Sequence, residues 1–342
     1  MKVAFYRHSL LNRGGDKMVI TYVNHMVDNG NDVEIYVNNV DSLFHIDSRV
    51  RIKKIPLGGI LGTVVWAITS RIDADLIVTD IVALAGMLRA SGKRRVVYFS
   101  QGNDVYHYRN RAMRTITDFL YRLTLGKLRV PCIAVSQSLA FEMSRYGHNI
   151  SVVENGIDLA TFEGTKSEER NNYSEYSVLV FNRRDHPKGV DEGLTVLASV
   201  KEILDLKVFV VGETLNNFGC ENLSYLDSLG LAKVLKNIDV LFYPSRHEGF
   251  GLLPLECLGS GRPVVTTKAV KFVEHLKTGW VAEVGDTRDM SKGIFKLFTD
   301  KKFYKRLAFN GVKLTGRFDL ERSKSLFFNR LRDICQVGFD SS

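Results

Sequence analysis

The stretch Val240-Leu-Phe-Tyr-Pro-Ser-Arg-His-Glu-Gly-Phe-Gly-Leu-Leu-Pro-Leu-Glu256 decides the fold. Val240–Tyr243 is an apolar run of the length expected for a buried strand. Gly249 and Gly251 follow, and both let the backbone come close to a ligand. Pro254 suits the first position of a helix, where its missing N–H costs nothing. Gly259-Ser-Gly-Arg-Pro-Val-Val265 then turns into another apolar run. Strand, glycine turn, helix and strand in that order predict a parallel sheet with helices packed on it.

The same stretch carries chemistry. The amides of Phe250, Gly251, Leu252 and Leu253 would open a helix and point at an anion, aided by the helix dipole. Glu248 lies in the loop before that helix and Glu256 on its first turn, with seven residues between them. Two carboxylates so placed can accept hydrogen bonds from one polyhydroxyl ligand. The plainer reading is a glycine turn in which Glu256 serves only the helix dipole.

Outward from this stretch the pattern repeats. Apolar, β-prone runs occur at Lys2–Tyr6, Asp32–Tyr36, Val50–Ile55, Asp75–Thr79, Arg95–Ser100, Cys132–Val135 and Ile150–Val153. Met18, Val19, Tyr22, Val23, Met26 and Val27 recur at helical spacing and stop at Gly30. A second helix is expected after Ser136, ending at Gly147. The polar stretch Glu163 to Ser177 reads as a linker. Alternation then resumes at Val178–Phe181, a helix from Gly189, Val208–Val211, Val240–Tyr243, Pro263–Thr266 and Trp280–Val284, and the chain ends in an amphipathic helix from Leu320 to about Val337. The expected fold is α/β: two Rossmann-like doubly wound domains, residues 1–157 and 158–319, facing a central cleft, with the last helix, about 320–338, packing back on the first. Ligands of such sheets bind beyond the carboxyl ends of the strands.

Two further loops sit at such strand ends. Arg183 and Lys188, in Phe181-Asn-Arg-Arg-Asp-His-Pro-Lys-Gly-Val-Asp191, can converge on one phosphate; a solvated basic loop is the alternative. Gly14 and Gly15, in Arg13-Gly-Gly-Asp16, can offer backbone amides to a phosphate or simply make a tight turn.

Composition narrows the class. The chain has 342 residues, 45% hydrophobic and 25% charged, which are values of a globular protein. Cys132, Cys220, Cys257 and Cys335 show no CxxC and no zinc-finger spacing. The longest weakly polar run, Leu57 to Ser70, is too short to span a bilayer. A cytoplasmic protein is expected, peripheral on the inner face of the membrane. The net charge is +9, and residues 81–130 hold ten Lys and Arg against two Asp. With Tyr106, Tyr108 and Tyr121 among the cations, that segment suggests an anionic membrane surface as partner; a solvated helix with locally paired arginines is the alternative.

Taken together, these motifs resemble retaining glycosyltransferases of family 4, which have the GT-B fold. The family's two-glutamate segment stands here as PSRHEGFGLLPLE, Pro244 to Glu256, with its proline one place late. Its arginine and lysine five apart stand as Arg183 and Lys188, its interdomain motif as Asn155-Gly-Ile-Asp158, and its glycine pair as Gly14–Gly15. The resemblance implies that Glu256 holds the ribose hydroxyls of a nucleotide-diphosphate sugar and Glu248 contacts the donor sugar. Arg183 and Lys188 would neutralise the diphosphate, with backbone contacts from Gly14, Gly15, Phe250, Gly251 and Leu252. It further implies a hexosyl transfer with retention to a glycan or lipid-linked acceptor in cell-surface polysaccharide or glycolipid synthesis. No metal, no other cofactor and no nucleic acid are expected. Where many members carry a histidine, this chain has Ser100-Gln-Gly-Asn-Asp104, so Gln101, Asp104 and His107 are the candidates on the acceptor side. Glutamine cannot act as a general base. Two other readings stay open: a nucleotide-sugar epimerase of the same fold, and a basic nucleic-acid-binding Rossmann protein.

Overall fold

The computed structural model describes residues 1–337 except 94, 164–175, 184–185 and 217. The expected linker therefore lies largely outside the described residues, as do Arg94, Arg184 and Asp185. The chain divides into two compact units, Met1–Asn155 with Glu321–Ser342, and Gly156–Leu320.

The first unit runs β1 (Lys2–Tyr6), β2 (Ser9–Leu10), α1 (Gly14–Asp28), β3 (Asp32–Val37), β4 (Asn39–Val40), β5 (Arg51–Lys54), α2 (Gly59–Thr69), β6 (Leu76–Thr79), α3 (Val82–Ala90), β7 (Val96–Ser100), α4 (Arg111–Tyr121), β8 (Cys132–Ala134), α5 (Gln137–Met143) and β9 (Ile150–Val152). Among the described residues its main sheet has seven strands in the order β5-β3-β1-β6-β7-β8-β9, with β2 and β4 paired separately. All pairs are parallel; Val3 faces Val33 on one side and Leu76 on the other. Parallel pairing needs crossovers, and these are right-handed almost without exception. The chain moves one way along the sheet through α1 and the other way through α2, α3 and α4. Those three helices therefore share the face opposite α1.

The second unit runs α6 (Leu159–Phe162), β10 (Tyr176–Asn182), α7 (Val190–Lys201), β11 (Leu206–Gly212), β12 (Glu221–Asn222), α8 (Ser228–Leu235), β13 (Val240–Tyr243), α9 (Leu252–Gly259), β14 (Val264–Thr267), β15 (Trp280–Ala282), α10 (Thr287–Thr299) and α11 (Lys301–Thr315). Among the described residues its parallel sheet has six strands in the order β12-β11-β10-β13-β14-β15. Val178, Val180, Val240, Phe242, Ile294 and Leu307 are buried in its core. The final helix, α12 (Leu320–Val337), supplies the rest of the first unit. Phe327 stacks on Tyr22 of α1 at 4.1 Å and meets Phe99 of β7 edge-on. Ser323 Oγ donates to the Glu154 carbonyl at 2.7 Å.

The expected strands all form, with ends shifted by a residue or two. Three local expectations need correction. The helix capped by Ser136, whose hydroxyl accepts from the Leu139 amide, stops at Met143 rather than Gly147. Beyond it the chain turns so that Tyr146 stacks on Tyr121 at 4.9 Å. Pro254 is the third residue of α9, not the first, because Gly251 at φ 99° caps the helix two residues earlier. The first-turn amides have no helical acceptor in any case, so proline is tolerated there. Glu256 consequently lies on the second turn.

Candidate functional site

In the second unit the site is built at the carboxyl ends of β10 and β13. The loop after β10 contains Arg183 and a 3-10 turn over His186–Lys188. The loop after β13 is tied to it: the Arg246 amide donates to the Pro187 carbonyl at 2.6 Å, and the Ser245 hydroxyl oxygen lies 2.8 Å from the same carbonyl. From the neighbouring β14, the Thr266 hydroxyl donates to the Tyr243 carbonyl and the Thr267 hydroxyl to that of Ser245. Gly189 turns the first loop into α7 at φ 62°, and a Cβ there would stand 2.1 Å from the Pro244 carbonyl oxygen. No side chain fits between these loops at that point.

This bracing sets one carboxylate. Lys188 Nζ, Tyr243 OH and Ser245 Oγ donate to the same oxygen of Glu248, Oε1, at 2.6, 2.8 and 2.6 Å. Lys188 Nζ also donates to Tyr243 OH at 3.1 Å. Among the described residues, Oε2 of Glu248 receives no hydrogen bond. The Lys188 and Glu248 side chains are 11% and 9% exposed. Burial pushes the Glu248 carboxyl up, but the Lys188 ammonium and the three hydrogen bonds outweigh it and hold the group below its usual range. The Tyr243 phenol is held well above its ordinary value, first by burial and then by the Glu248 charge. Arg183 acts on it in the opposite sense and Glu256 in the same sense. The four charged residues singled out in this half of the chain thus gather around one buried phenol. Glu256 is 4% exposed. Phe250 is buried, and Gly251 and Leu252 form the start of α9. The arrangement offers two cations, two carboxylates and a helix N-terminus, which suits a ligand carrying both hydroxyls and anionic groups.

The first unit has its own buried polar cluster at the ends of β1, β6 and β7. Arg7 Nη2 donates to Asp16 Oδ1 at 2.5 Å and to Asp80 Oδ2 at 2.7 Å. Gln101 Nε2 donates to the Gly15 carbonyl at 3.0 Å and to Asp80 Oδ2 at 3.3 Å. A Cβ on Gly15 would lie 2.8 Å from Gln101 Oε1, so the absence of a side chain there is explained by the packing of Gln101. Gly14 is exposed at the start of α1. Asp104 opens a 3-10 turn, and its carboxyl is pushed up to about 7 by burial, then by the Asp80 charge; the Val82 amide and the Tyr121 hydroxyl pull the other way. Asp16 is likewise raised by burial, which Arg7 only partly offsets. The structure brings Gly15, Gln101 and Asp104 into one polar neighbourhood, whereas His107 is exposed on the far end of its turn.

Comparison with known proteins follows the same division. Residues 12–161 match the family model described as Glycosyltransferase Family 4, and residues 162–314 the one described as Glycosyl transferases group 1. The chain carries the two domains of a family 4-type glycosyltransferase. Capsular polysaccharide biosynthesis glycosyltransferase CapM of Staphylococcus aureus is 24% identical over 61% of this chain and 64% of its own length. An N,N'-diacetylbacillosaminyl-diphospho-undecaprenol alpha-1,3-N-acetylgalactosaminyltransferase of Campylobacter jejuni is 27% identical over 65% and 64%. An uncharacterized glycosyltransferase of Methanocaldococcus jannaschii is 26% identical over 48% and 50%, so the chain spans between half and two thirds of these relatives. Among solved structures, sucrose-phosphate synthase of Thermosynechococcus elongatus superimposes with a TM-score of 0.79 at 16% identity, covering 100% of both chains. Anabaena HepE in complex with UDP and glucose gives 0.77 at 19%, covering 97% of this chain and 99% of its own. At these identities the likeness is one of fold, and that fold is GT-B.

Against this family-type background, several residues of the two clusters escaped sequence reasoning. Tyr243 and Ser245 flank the glutamate motif and were readable only as strand and loop. Arg7, Asp16 and Asp80 come from separate segments that the sheet order brings together. The one available signal was a charged residue directly after an apolar strand, as at Arg7 and Asp80.

Proposed function

We propose that this chain transfers a hexose from a nucleotide-diphosphate sugar to a glycan or lipid-linked acceptor, with retention at the anomeric carbon. The observation that supports it is the fixing of Glu248 by Lys188, Tyr243 and Ser245 beside the glycine-capped start of α9. In this reading Glu256 takes the ribose hydroxyls and the accessible oxygen of Glu248 takes a hydroxyl of the donor sugar. Arg183, Lys188 and the amides of Phe250, Gly251 and Leu252 balance the diphosphate as the bond to the anomeric carbon breaks, and the acceptor hydroxyl attacks from the face that the diphosphate leaves. Cationic side chains and amides supply the charge balance that a metal would otherwise give. Gly14 and Gly15 are assigned to phosphate contact and Gln101, Asp104 and His107 to the acceptor side. Support for the substrate class comes from HepE, which is described in complex with UDP-glucose as well as UDP, and from relatives named for capsular and diphospho-undecaprenol chemistry.

The test is a thermal-shift titration with UDP, GDP, ADP and CMP, with and without EDTA. A ligand at 100 times its Kd adds about 2.7 kcal/mol, or a shift of roughly 5–10 °C for a unit of this size. One nucleotide should give that shift with EDTA present. Glu256→Ala should abolish it, while Glu248→Ala should keep it and lose transfer. No shift with any nucleotide, or full transfer by both variants, refutes the reading.

A further inference from the structure

Lys188 faces two claims. Its ammonium donates to Glu248 Oε1 at 2.6 Å, and in the transferase reading it also balances the donor diphosphate. One positive charge shared between two anions holds each of them less firmly than it holds one. Glu248 is the partner at risk, because its side chain is nearly buried and burial pushes its carboxyl up. Protonated, it would turn one oxygen from an acceptor into a donor and lose part of its grip on a sugar hydroxyl.

Two hydroxyls remain to hold the carboxylate once Lys188 is shared, and they are not equivalent. Ser245 Oγ lies 2.6 Å from Glu248 Oε1, 2.8 Å from the Pro187 carbonyl and 3.2 Å from the His247 carbonyl, so its single proton has three acceptors within reach. Tyr243 OH has one. Among the described residues its proton can go only to Glu248 Oε1, at 2.8 Å, because its other neighbour, Lys188 Nζ at 3.1 Å, is itself a donor. The phenol is also firmly placed. Tyr243 is buried at the end of β13, which lies between β10 and β14 in the sheet, and its carbonyl accepts from Thr266. Burial and the Glu248 charge keep the phenol protonated, so it stays a donor.

We propose that Tyr243 is a positioning residue for the transfer step: its hydroxyl anchors Glu248 Oε1 while Lys188 is shared with the diphosphate, and so keeps Oε2 turned to the donor sugar. This role rests on the transferase reading, and it belongs to the hydroxyl and not to the ring.

Tyr243→Phe keeps the ring and removes the hydroxyl. The probes are UDP-glucose, GDP-mannose and ADP-glucose, and the readout is release of the nucleotide to water. For the probe that the wild type turns over, kcat should fall at least about tenfold, the rate equivalent of one lost hydrogen bond to a charged group, with KM and the nucleotide Kd within about twofold. The acid limb of kcat should move to higher pH, since the phenol is one of the groups that hold the Glu248 carboxyl down. The others are Lys188 and Ser245, while Arg183 and Glu256 act on the phenol itself. Thr266→Val disturbs the strand and leaves the phenol in place, so it should lower the melting temperature and not move that limb. Without any ligand, the stability deficit of Tyr243→Phe in urea should shrink as the pH falls from about 6 to about 3.5, because the wild-type carboxyl is held lower and has more to lose on protonation. A deficit constant over that range, an unmoved acid limb, or a kcat within about twofold of wild type overturns the proposal. A wild type that binds no nucleotide and turns over no probe overturns the transferase reading, and this role with it. Wild-type turnover with an unchanged variant overturns this role alone.

Discussion

Replacing Lys188 by methionine removes the ammonium that sits 2.6 Å from Glu248 Oε1 and preserves most of the side-chain volume. The loss is larger than that of a surface pair, because both side chains are nearly buried. Breaking a buried ion pair by deleting one partner costs about 3–5 kcal/mol. Here the remaining carboxylate keeps hydrogen bonds from Ser245 and Tyr243, and it can escape by taking a proton, so the lower end applies. The expected loss at pH 7.5 is about 3 kcal/mol, or roughly 6–12 °C in the melting of the second unit.

The pH dependence separates this cause from a packing defect. In the wild type the Glu248 carboxyl lies below its usual range. Its contribution to stability is therefore fully present above the ordinary glutamate pKa and is lost only as the pH falls through the lowered value. Between pH 5 and 7.5 this group leaves wild-type stability flat. Without Lys188 the burial acts with less opposition, the carboxyl rises, and the folded state holds a proton that the unfolded state releases. The variant should then gain stability as the pH falls through the raised value, by up to about 1.4 kcal/mol per pH unit, until the unfolded chain's carboxyl is protonated as well. Urea unfolding at pH 5, 6 and 7.5 measures this, and Glu248→Gln combined with Lys188→Met should recover part of the loss. A deficit below about 1 kcal/mol at pH 7.5, against the 3–5 of a broken buried pair, would refute the assignment. So would a deficit that does not change with pH, or losses that simply add.

Gly189→Ala places a Cβ 2.1 Å from the Pro244 carbonyl at φ 62°, whereas Gly219 has the same φ and a Cβ there meets only Lys201 Nζ at 3.5 Å, an ordinary contact distance. Calorimetry should give a loss of about 1 kcal/mol for Gly219→Ala from backbone strain alone, and at least twice that for Gly189→Ala. Gly15→Ala collides with Gln101, so its melting temperature should fall and recover in the double variant with Gln101→Ala. The Asp104 carboxyl, raised to about 7, keeps its proton in the folded state, so its contribution is greatest below the unfolded value near 4 and declines as the pH rises to about 7. Asp104→Asn should flatten that part of the stability profile measured by thermal melts between pH 4 and 8.

Much of the scaffold was legible because strands buried on both faces of a parallel sheet must be continuous apolar runs. Val240–Tyr243 and Lys2–Tyr6 have no other plausible packing, and both form as expected. Gly251 shows where that legibility ends. A glycine before a helix is readable, but its positive φ is not, and that angle starts α9 at Leu252 and moves Glu256 to the second turn. Spacing between Glu248 and Glu256 was likewise visible, while the contact that sets Glu248 was not. Lys188 lies sixty residues away, and only the β10–β13 pairing brings its loop to the glutamate.

The first unit carries the same limit further. Arg7 and Asp80 are separated by 73 residues and meet because β1 and β6 are neighbours, a fact of strand order and not of local pattern. On α4 the sequence showed cations mixed with aromatics, which leaves open which side faces the sheet. Tyr121 settles it: its hydroxyl lies 3.0 Å from that of Tyr98 in the sheet, which anchors the helix by its polar-tipped side and turns Ile116 and Phe119 outward. A helix oriented by one buried phenol in this way leaves its apolar residues with no partner in its own unit's core. The surface it presents is therefore a consequence of how the unit packs, and Phe119→Ser, at a side chain 61% exposed, should leave the melting temperature of the unit unchanged.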